Sequence, residues 1–566
     1  MTQVELQETV NIPASVEEPP VRNWKDYFTF NTDHKVIGIQ YLVTSFIFYC
    51  IGGVLADLVR TELRTPEVDF VTPEVYNSLF TLHATIMIFL WVVPAGTGGF
   101  ANFLVPLMIG AKDMAFPRLN AVAFWMILPA GLLLIASLVV GDAPDAGWTS
   151  YPPLSLLTGQ VGQAIWIISI LLLGTSSILA AINFIVTILK MRTPGMGFHQ
   201  MPLFCWAIFA TSALVLLSTP VLAAGLILLG FDLLAGTSFF NPTGGGDPVV
   251  YQHMFWFYSH PAVYIMILPF FGAISEVIPV HSRKPIFGYK AIAYSSLAIS
   301  FLGLIVWAHH MFTSGIPGWL RMFFMITTMI IAVPTGIKIF SWLGTMWGGK
   351  IQLNTPMLFA IGFVGTFVIG GISGVMLAAV PFDIHVHDTY FVVAHLHYVL
   401  FGGSVLGIYA GIYHWFPKMT GRMLNEFWGK VHFVLTIIGL NMAFLPMHKL
   451  GMMGMNRRVA QYEPQFTFLN EICTYGAYIL AVSTFPFIIN AIWSWLYGEK
   501  AGNNPWRALT LEWMTTSPPA IENFHELPVL STGPYDYGVK HNEDGASVVA
   551  AAPSDEPYPT IGAGGY

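Results

Sequence analysis

His395 and His397, in the stretch VVAHLHYV, stand two positions apart in an otherwise apolar run. An ionisable side chain is costly in hydrocarbon unless it faces a partner, so such residues point to chemistry. At about 100° per residue the two rings leave a helix roughly 200° apart and cannot share one ion. Each needs its own acceptor, and for neutral imidazole in a membrane the acceptor that fits is iron in a planar heme. His309 and His310 in VWAHHMF are adjacent. At about 100° apart, both can reach one small ion at a helix edge. Imidazole-only coordination favours copper, zinc or iron over calcium or magnesium. His260 in YSHPAVY could complete a three-histidine copper site, with Tyr264 four residues on along the same face. Pro261 interrupts the local hydrogen-bond ladder beside it. His83 stands alone on its span, and pairing with His397 across a heme would give it a role. His395 is then the sole protein ligand of a second heme, whose open face suits a small diatomic molecule. Any one of these histidines alone reads equally well as an interhelical hydrogen bond; the spacings separate the two readings.

The elements that hold them must cross a bilayer. The chain has 566 residues, 55% hydrophobic and 10% charged, a balance that excludes an ordinary soluble globular class. Roughly 20 apolar residues of helix span a bilayer core. Twelve segments qualify, near 36–60, 78–110, 119–141, 161–190, 202–235, 250–281, 287–312, 317–345, 353–380, 390–416, 429–448 and 470–498. The expected fold is an all-α integral membrane bundle of about twelve transmembrane helices over 36–499. It is flanked by an N-terminal tail, 1–35, and a polar C-terminal tail, 500–566, that wraps the surface or is disordered. Loops on the terminal side hold Lys112, Arg118, Lys190, Arg192, Arg283, Lys284, Lys350, Lys418 and Arg422, so the positive-inside rule puts both termini in the cytoplasm. Arg457 and Arg458 break that trend on the outer side and imply a bound anion there. The net charge of -7 is spread without a basic block, so nothing points to nucleic acid. Cys50, Cys205 and Cys473 have neither metal nor redox spacing.

The motifs HATIMIFLW, DMAFPRLN, WFYSHPAVYI, WAHHMF, PTGIKIF, HDTYFVVAHLHY and GMNRR follow one another on the expected spans. Through them, and over nearly its whole length, the chain resembles subunit I of the heme-copper oxygen reductases of the cytochrome c oxidase type. The stretches RTEL, AGWTSYPPLSL and NPWRALTLEW are most similar to the cyanobacterial branch. The resemblance implies that His83 and His397 ligate a low-spin heme a, that His395 ligates a high-spin heme a3, and that His260, His309 and His310 hold copper B. It implies a covalent bond between Tyr264 and His260, with the tyrosine giving an electron and a proton as the oxygen–oxygen bond breaks. It further implies a magnesium ion on His387 and Asp388, heme propionates on Arg457 and Arg458, and a heme formyl group on Arg60. His385 has no counterpart in that pattern and reads as a polar loop residue.

Chemistry at the midplane consumes protons that hydrocarbon cannot conduct, so polar trails must reach it. Asp113, Asn102, Asn120, Ser176 and Ser177 resemble the family's D pathway; Lys338, Thr335 and Ser275 resemble its K pathway. The family's commonest pattern has a glutamate where this chain has Ala262, and Tyr258 and Ser259 replace it as in the Tyr-Ser-His-Pro subclass. Tyr258, four residues before Ala262, is the expected relay.

The function so implied is reduction of dioxygen to water, coupled to proton pumping. A twelve-span transporter with histidine relays is the alternative from another class, but it needs no diverging pair and predicts no visible absorbance. A nitric oxide reductase lacks the tyrosine of HPAVY and the Lys338 trail. A quinol oxidase carries an Arg and Asp one turn apart, whereas Arg60 is followed here by Arg64, and Val75 and Ser78 occupy the positions of its His and Gln. With no dinuclear copper motif in this chain, electrons from cytochrome c or plastocyanin must enter through a subunit II that carries one. Subunit III and membrane lipid are further partners, and the expected location is the cytoplasmic or thylakoid membrane of a bacterium.

Overall fold

The computed structural model describes residues 23–549 except 525, 529, 531–532, 537–538 and 542–546. Residues 1–22 of the expected N-terminal tail and 550–566 of the C-terminal one lie outside the described residues. Among the described residues eleven helices are long and apolar enough to cross a membrane. They are α1 (His34–Glu62), α2 (Pro73–Ile109), α3 (Pro117–Val140), α4 (Gln160–Lys190), α5 (Leu203–Ala235) and α6 (Pro248–Ser282), then α8 (Gly318–Met346), α9 (Thr355–Ala378), α10 (Tyr390–Thr420), α11 (Glu426–Met452) and α12 (Pro464–Tyr497). The chain is a multi-pass membrane protein.

The seventh expected span, 287–312, departs from a continuous helix. It is a 15-residue α7 (Tyr289–Gly303), then a 3-10 turn over Trp307–Met311 that carries His309 and His310. The end of α7 comes close to α6, for a Cβ on Gly303 would sit 3.1 Å from Tyr264 Cδ2. The helix unwinds beyond that contact, and the two histidines are therefore presented from a tighter turn than an α-helix edge.

Helix starts follow local chemistry. Asp33, Thr72, Asp247, Asn354, Thr389 and Asn425 each cap a first turn by accepting a backbone N–H from it. Two helices loosen within four residues of a predicted ligand. After His83, α2 passes through π-helical turns over Met87–Val92 and Pro94–Phe100; after His397, α10 does so over Leu400–Val405. Such turns are frequent at functional sites. The α10 helix packs between α9 and α11, so its two histidines meet different neighbours. The only strands among the described residues are an antiparallel pair, Val539–His541 with Ser547–Val549.

The C-terminal segment after α12 is packed against the bundle. Trp506 donates its indole N–H to His414 O at 2.7 Å, and the Lys418 ammonium donates to Thr515 O at 2.7 Å and Asn503 O at 2.9 Å. Trp513 and Glu512 are buried.

Candidate active site

His395 and His397 diverge as the helical period requires. On the α9 side, His395 Nδ1 lies 2.9 Å from Gly370 O and 3.1 Å from Ser373 Oγ. On the α11 side, the His397 ring stacks on Phe444 at 4.3 Å. His397 Nδ1 is 2.8 Å from Val393 O, and His83 Nδ1 is 2.8 Å from Gly52 O. A carbonyl oxygen only accepts, so in all three rings Nδ1 carries the proton and Nε2 keeps a lone pair for a metal. The His83 and His397 rings are parallel to within 6°, with centroids 6.4 Å apart. That gap fits one ion flanked by two imidazole bonds of about 2 Å each. Gly374 forms part of the seat of His395, because a Cβ there would fall 2.8 Å from His395 Cε1.

His260, His309 and His310 converge, with one nitrogen of each within 4.8 Å of the others. His260 Nδ1 faces His310 Nε2 at 3.2 Å, and the opposite nitrogen, His260 Nε2, is buried without a partner. Thr328 orients His309 through Nδ1 at 2.9 Å, and Trp256 stacks on His310 at 3.6 Å. Neither Thr328 nor Trp256 is singled out by sequence reasoning, since both act on the ligands rather than as ligands. The Tyr264 ring lies 4.7 Å from that of His260. His395 and the three converging histidines line one cavity of about 870 Å³, mostly apolar, together with Tyr264, Thr335, Arg457 and Arg458. The size and mostly apolar lining of the cavity fit a flat macrocycle, and His395 on its wall is the candidate ligand.

Polar groups rim the cavity. Arg458 is held down to about 10, by burial first and by the neighbouring Arg457 second, so the pair calls for an anion. Arg457 Nε donates to Asp388 Oδ1 at 2.7 Å, and its Nη2 donates to the same oxygen. Burial alone would raise the Asp388 carboxyl, but Arg457 and His387 outweigh it and hold it below its usual value. His387 Nε2 is 3.8 Å from Asp388 Oδ2. His387 Nδ1 is 2.9 Å from Asp383, a buried carboxylate overlooked in the sequence although it precedes His387 by one turn. His385 sits exposed on the short helix Val380–Val386, away from this cluster, rather than in a loop. Arg60 donates through Nη2 to Asn470 O at 2.8 Å, while its Nε and Nη1 are buried without a partner, as a missing acceptor would leave them.

The two polar trails differ from each other in their contacts. Burial chiefly raises the Asp113 carboxyl to about 6, and Met114 N–H donates to it at 2.7 Å. Inward from it, Asn102 Oδ1 and both amide atoms of Asn120 are buried without a partner. Ser176 and Ser177 line a small cavity of about 20 Å³ with Tyr41, Thr97 and Phe89, large enough for one water. Phe89 in turn lies parallel to Tyr258, centroids 6.4 Å apart. Ser259 Oγ is buried and unpartnered. Asn183, another residue overlooked in the sequence, clamps the backbone of Phe116 just past Asp113; its seven-residue spacing from Ser176 was the available signal.

On the other trail the Lys338 ammonium donates to Ser296 Oγ at 2.7 Å and Ile292 O at 3.0 Å, both on α7. Ser275 is engaged elsewhere: it donates to Phe271 O at 2.7 Å and accepts the Trp342 indole N–H at 3.0 Å. Thr335 donates to Ile331 O and lines the large cavity.

The profile of the family described as Cytochrome C and Quinol oxidase polypeptide I matches residues 36–479. The chain is 73% identical over 520 residues to cytochrome c oxidase subunit 1 of Synechocystis sp., spanning 92% of this chain and 94% of that one. It is 66% identical over 542 residues to cytochrome c oxidase subunit 1 of Thermostichus vulcanus, spanning 96% and 98%. Among solved structures, a chain from a cryo-EM structure of a heme-copper terminal oxidase dimer superposes with a TM-score of 0.68 at 19% identity. The match covers 82% of this chain and 84% of that one, and carries the fold alone.

Proposed function

The chain belongs to the cytochrome c and quinol oxidase polypeptide I family, and from that premise we propose that it is the catalytic subunit of a cytochrome c oxidase that reduces dioxygen to water. The observation that carries this reading is the shared cavity, in which three converging imidazoles face the ring of His395. His83 and His397 would hold a low-spin heme a, His395 a high-spin heme a3, and His260, His309 and His310 copper B. Bound there, the hemes and copper supply electrons and an open iron site for dioxygen. His387 and Asp388 would hold magnesium, with water and a second chain completing its shell. Electrons would come from cytochrome c or plastocyanin through subunit II and its dinuclear copper centre. Subunit III completes the assembly, in the cytoplasmic or thylakoid membrane of a bacterium with both termini in the cytoplasm.

The chain's own residues supply orientation and protons. Gly370 O, Gly52 O and Val393 O hold the iron-ligating rings in one tautomer, and Thr328 and Trp256 fix two of the copper ligands. Tyr264, against His260, would carry the expected covalent bond and would give up its phenolic proton. Formation of that bond removes a ring C–H hydrogen from the tyrosine and the N–H hydrogen from the imidazole, with dioxygen as the two-electron oxidant. Asp113, near 6, exchanges protons at about neutral pH and passes them along water held by Asn120 and Asn102 to Ser176 and Ser177. Tyr258, one ring beyond, is the relay that replaces the absent glutamate. Lys338 must leave Ser296 to carry a proton toward Thr335 and Tyr264. Pumping against 100 mV costs about 2.3 kcal/mol per charge, so these routes are gated.

Reduced-minus-oxidised spectra with heme extraction, metal analysis and oxygen uptake on reduced cytochrome c or plastocyanin test the reading. Two heme irons and a copper per chain with cyanide-sensitive oxygen uptake are expected. A purified protein without visible absorbance would return the transporter reading.

A further inference from the structure

Asn523, in the segment after α12, lies 489 residues from His34 and touches it. It is 5% exposed and has a φ of 62°, a left-handed conformation that asparagine and glycine tolerate best. Its side chain is fully committed. His34 Nδ1 donates to Asn102 O at 2.6 Å, which leaves His34 Nε2 as an acceptor for Asn523 Nδ2 at 2.8 Å. Asn523 Nδ2 also donates to Ala111 O at 2.9 Å, and Oδ1 accepts from the Lys35 ammonium at 2.7 Å. Lys35 is wholly buried and also donates to Ile521 O at 2.9 Å and to Asp33 at 3.0 Å. Glu522 reaches Lys112 at 3.1 Å.

These contacts gather on the start of α1 and, beside it, on the loop that carries Asp113. Its loop is held at Ala111 by the amide; the charged and titratable groups beside it are Asp33, His34 and Lys35 on α1, Lys112 in its own loop and Glu522 in the tail segment. Asn102, whose backbone receives His34, also presents the first unpartnered amide oxygen inward. One side chain from the far end of the sequence therefore joins the buried ammonium, the imidazole and the turn that carries the carboxylate.

We propose that Asn523 is a positioning residue for proton intake, and that the segment 521–524 forms the rim of the Asp113 mouth. This rests on the reading of Asp113 as the intake. An aspartate at 523 keeps the acceptor for Lys35 but has no donor for Ala111 O or His34 Nε2, so the arrangement calls for an amide. Glycine keeps the backbone conformation and removes every side-chain contact, which makes it the cleaner probe.

The test is oxygen uptake per heme in the whole oxidase for Asn523→Gly, Asn523→Asp, Asp113→Asn and the Asn523→Gly/Asp113→Asn pair, with heme content checked by absorbance. Asn523→Gly is expected to lower turnover about tenfold, the scale of one lost charge-assisted hydrogen bond, with the heme bands unchanged. Asn523→Asp falls between it and the parent. In the Asp113→Asn background the glycine adds no further loss, which a merely structural contact would not achieve. Unchanged turnover in Asn523→Gly, or an equal loss in both backgrounds, overturns the proposal while leaving Asp113 as the intake. If Asp113→Asn alone leaves turnover intact, the intake reading itself falls and this proposal with it.

Discussion

The two polar trails are built on opposite plans. Along the Asp113 trail, Asn102 and Asn120 leave three buried amide atoms without protein partners, and Ser176 and Ser177 border a cavity the size of a water. A dry unpartnered polar atom costs about 1–3 kcal/mol, so this trail is shaped for water that is always there. Along the Lys338 trail the ammonium is satisfied by Ser296 and Ile292 O, and Ser275 is occupied by Trp342. There the path opens only when a side chain moves. If both carry protons as proposed, the difference teaches that one would conduct by standing hydration and the other by a switch.

Removing the switch is the most damaging change. Lys338→Met is expected to cut oxygen uptake by about 100-fold or more with intact heme bands, since no water chain substitutes for the moving ammonium. A hydrated parallel path would instead leave most of the activity. Next comes Asp113→Asn, with a loss of about tenfold and a flatter pH profile, because the group that burial places at about 6 is gone. A profile that keeps its inflection near 6 would assign the intake elsewhere. Tyr258→Phe tests the far end of the hydrated trail. A several-fold fall in turnover together with lost proton release is expected, less than the roughly 100-fold of a fully lost proton-transfer group because water along the trail still carries protons; unchanged values for both reject the relay. The smallest and most discriminating pair is Ser296→Ala against Ser275→Ala. The first removes one resting partner of Lys338 and is expected to alter turnover by about threefold, less than a full hydrogen bond to a charged group because Ile292 O still accepts from the ammonium. The second leaves the ammonium untouched and should be near neutral, and the reverse order would restore Ser275 to the path.

Much of the site follows from local spacing. The divergence of His395 and His397 is a property of any helix, and Tyr264 one turn past His260 is another; both appear in the structure with the partners on opposite sides and the rings adjacent. Spacing failed where the helix itself ended. His309 and His310 lie on a 3-10 turn because α7 stops at Gly303, where it comes against Tyr264, and no periodicity announces that contact. It also failed where a polar group had a choice of neighbours. Lys338 could turn to several polar groups, and the packing of α7 against α8 puts Ser296 at its ammonium. Asp383 and Asn183 escape a reading by spacing because each secures a neighbour, His387 in the first case and the backbone of Phe116 in the second. The segment after α12 has no apolar period to read, and its anchoring at Lys35 and Ala111 spans more than 400 residues.

What the sequence by itself determined is the inventory: which apolar segments carry imidazoles and, where the segment stays helical, at what angle each imidazole leaves it. Those are consequences of a rise and turn per residue that every helix shares. Tertiary structure alone decided which imidazoles face one another, which serine holds the lysine, and that a distant asparagine closes the mouth at Asp113. Such contacts depend on how whole helices and the segment after them settle against each other, and that is set by the sum of many weak side-chain fits rather than by any single stretch of chain.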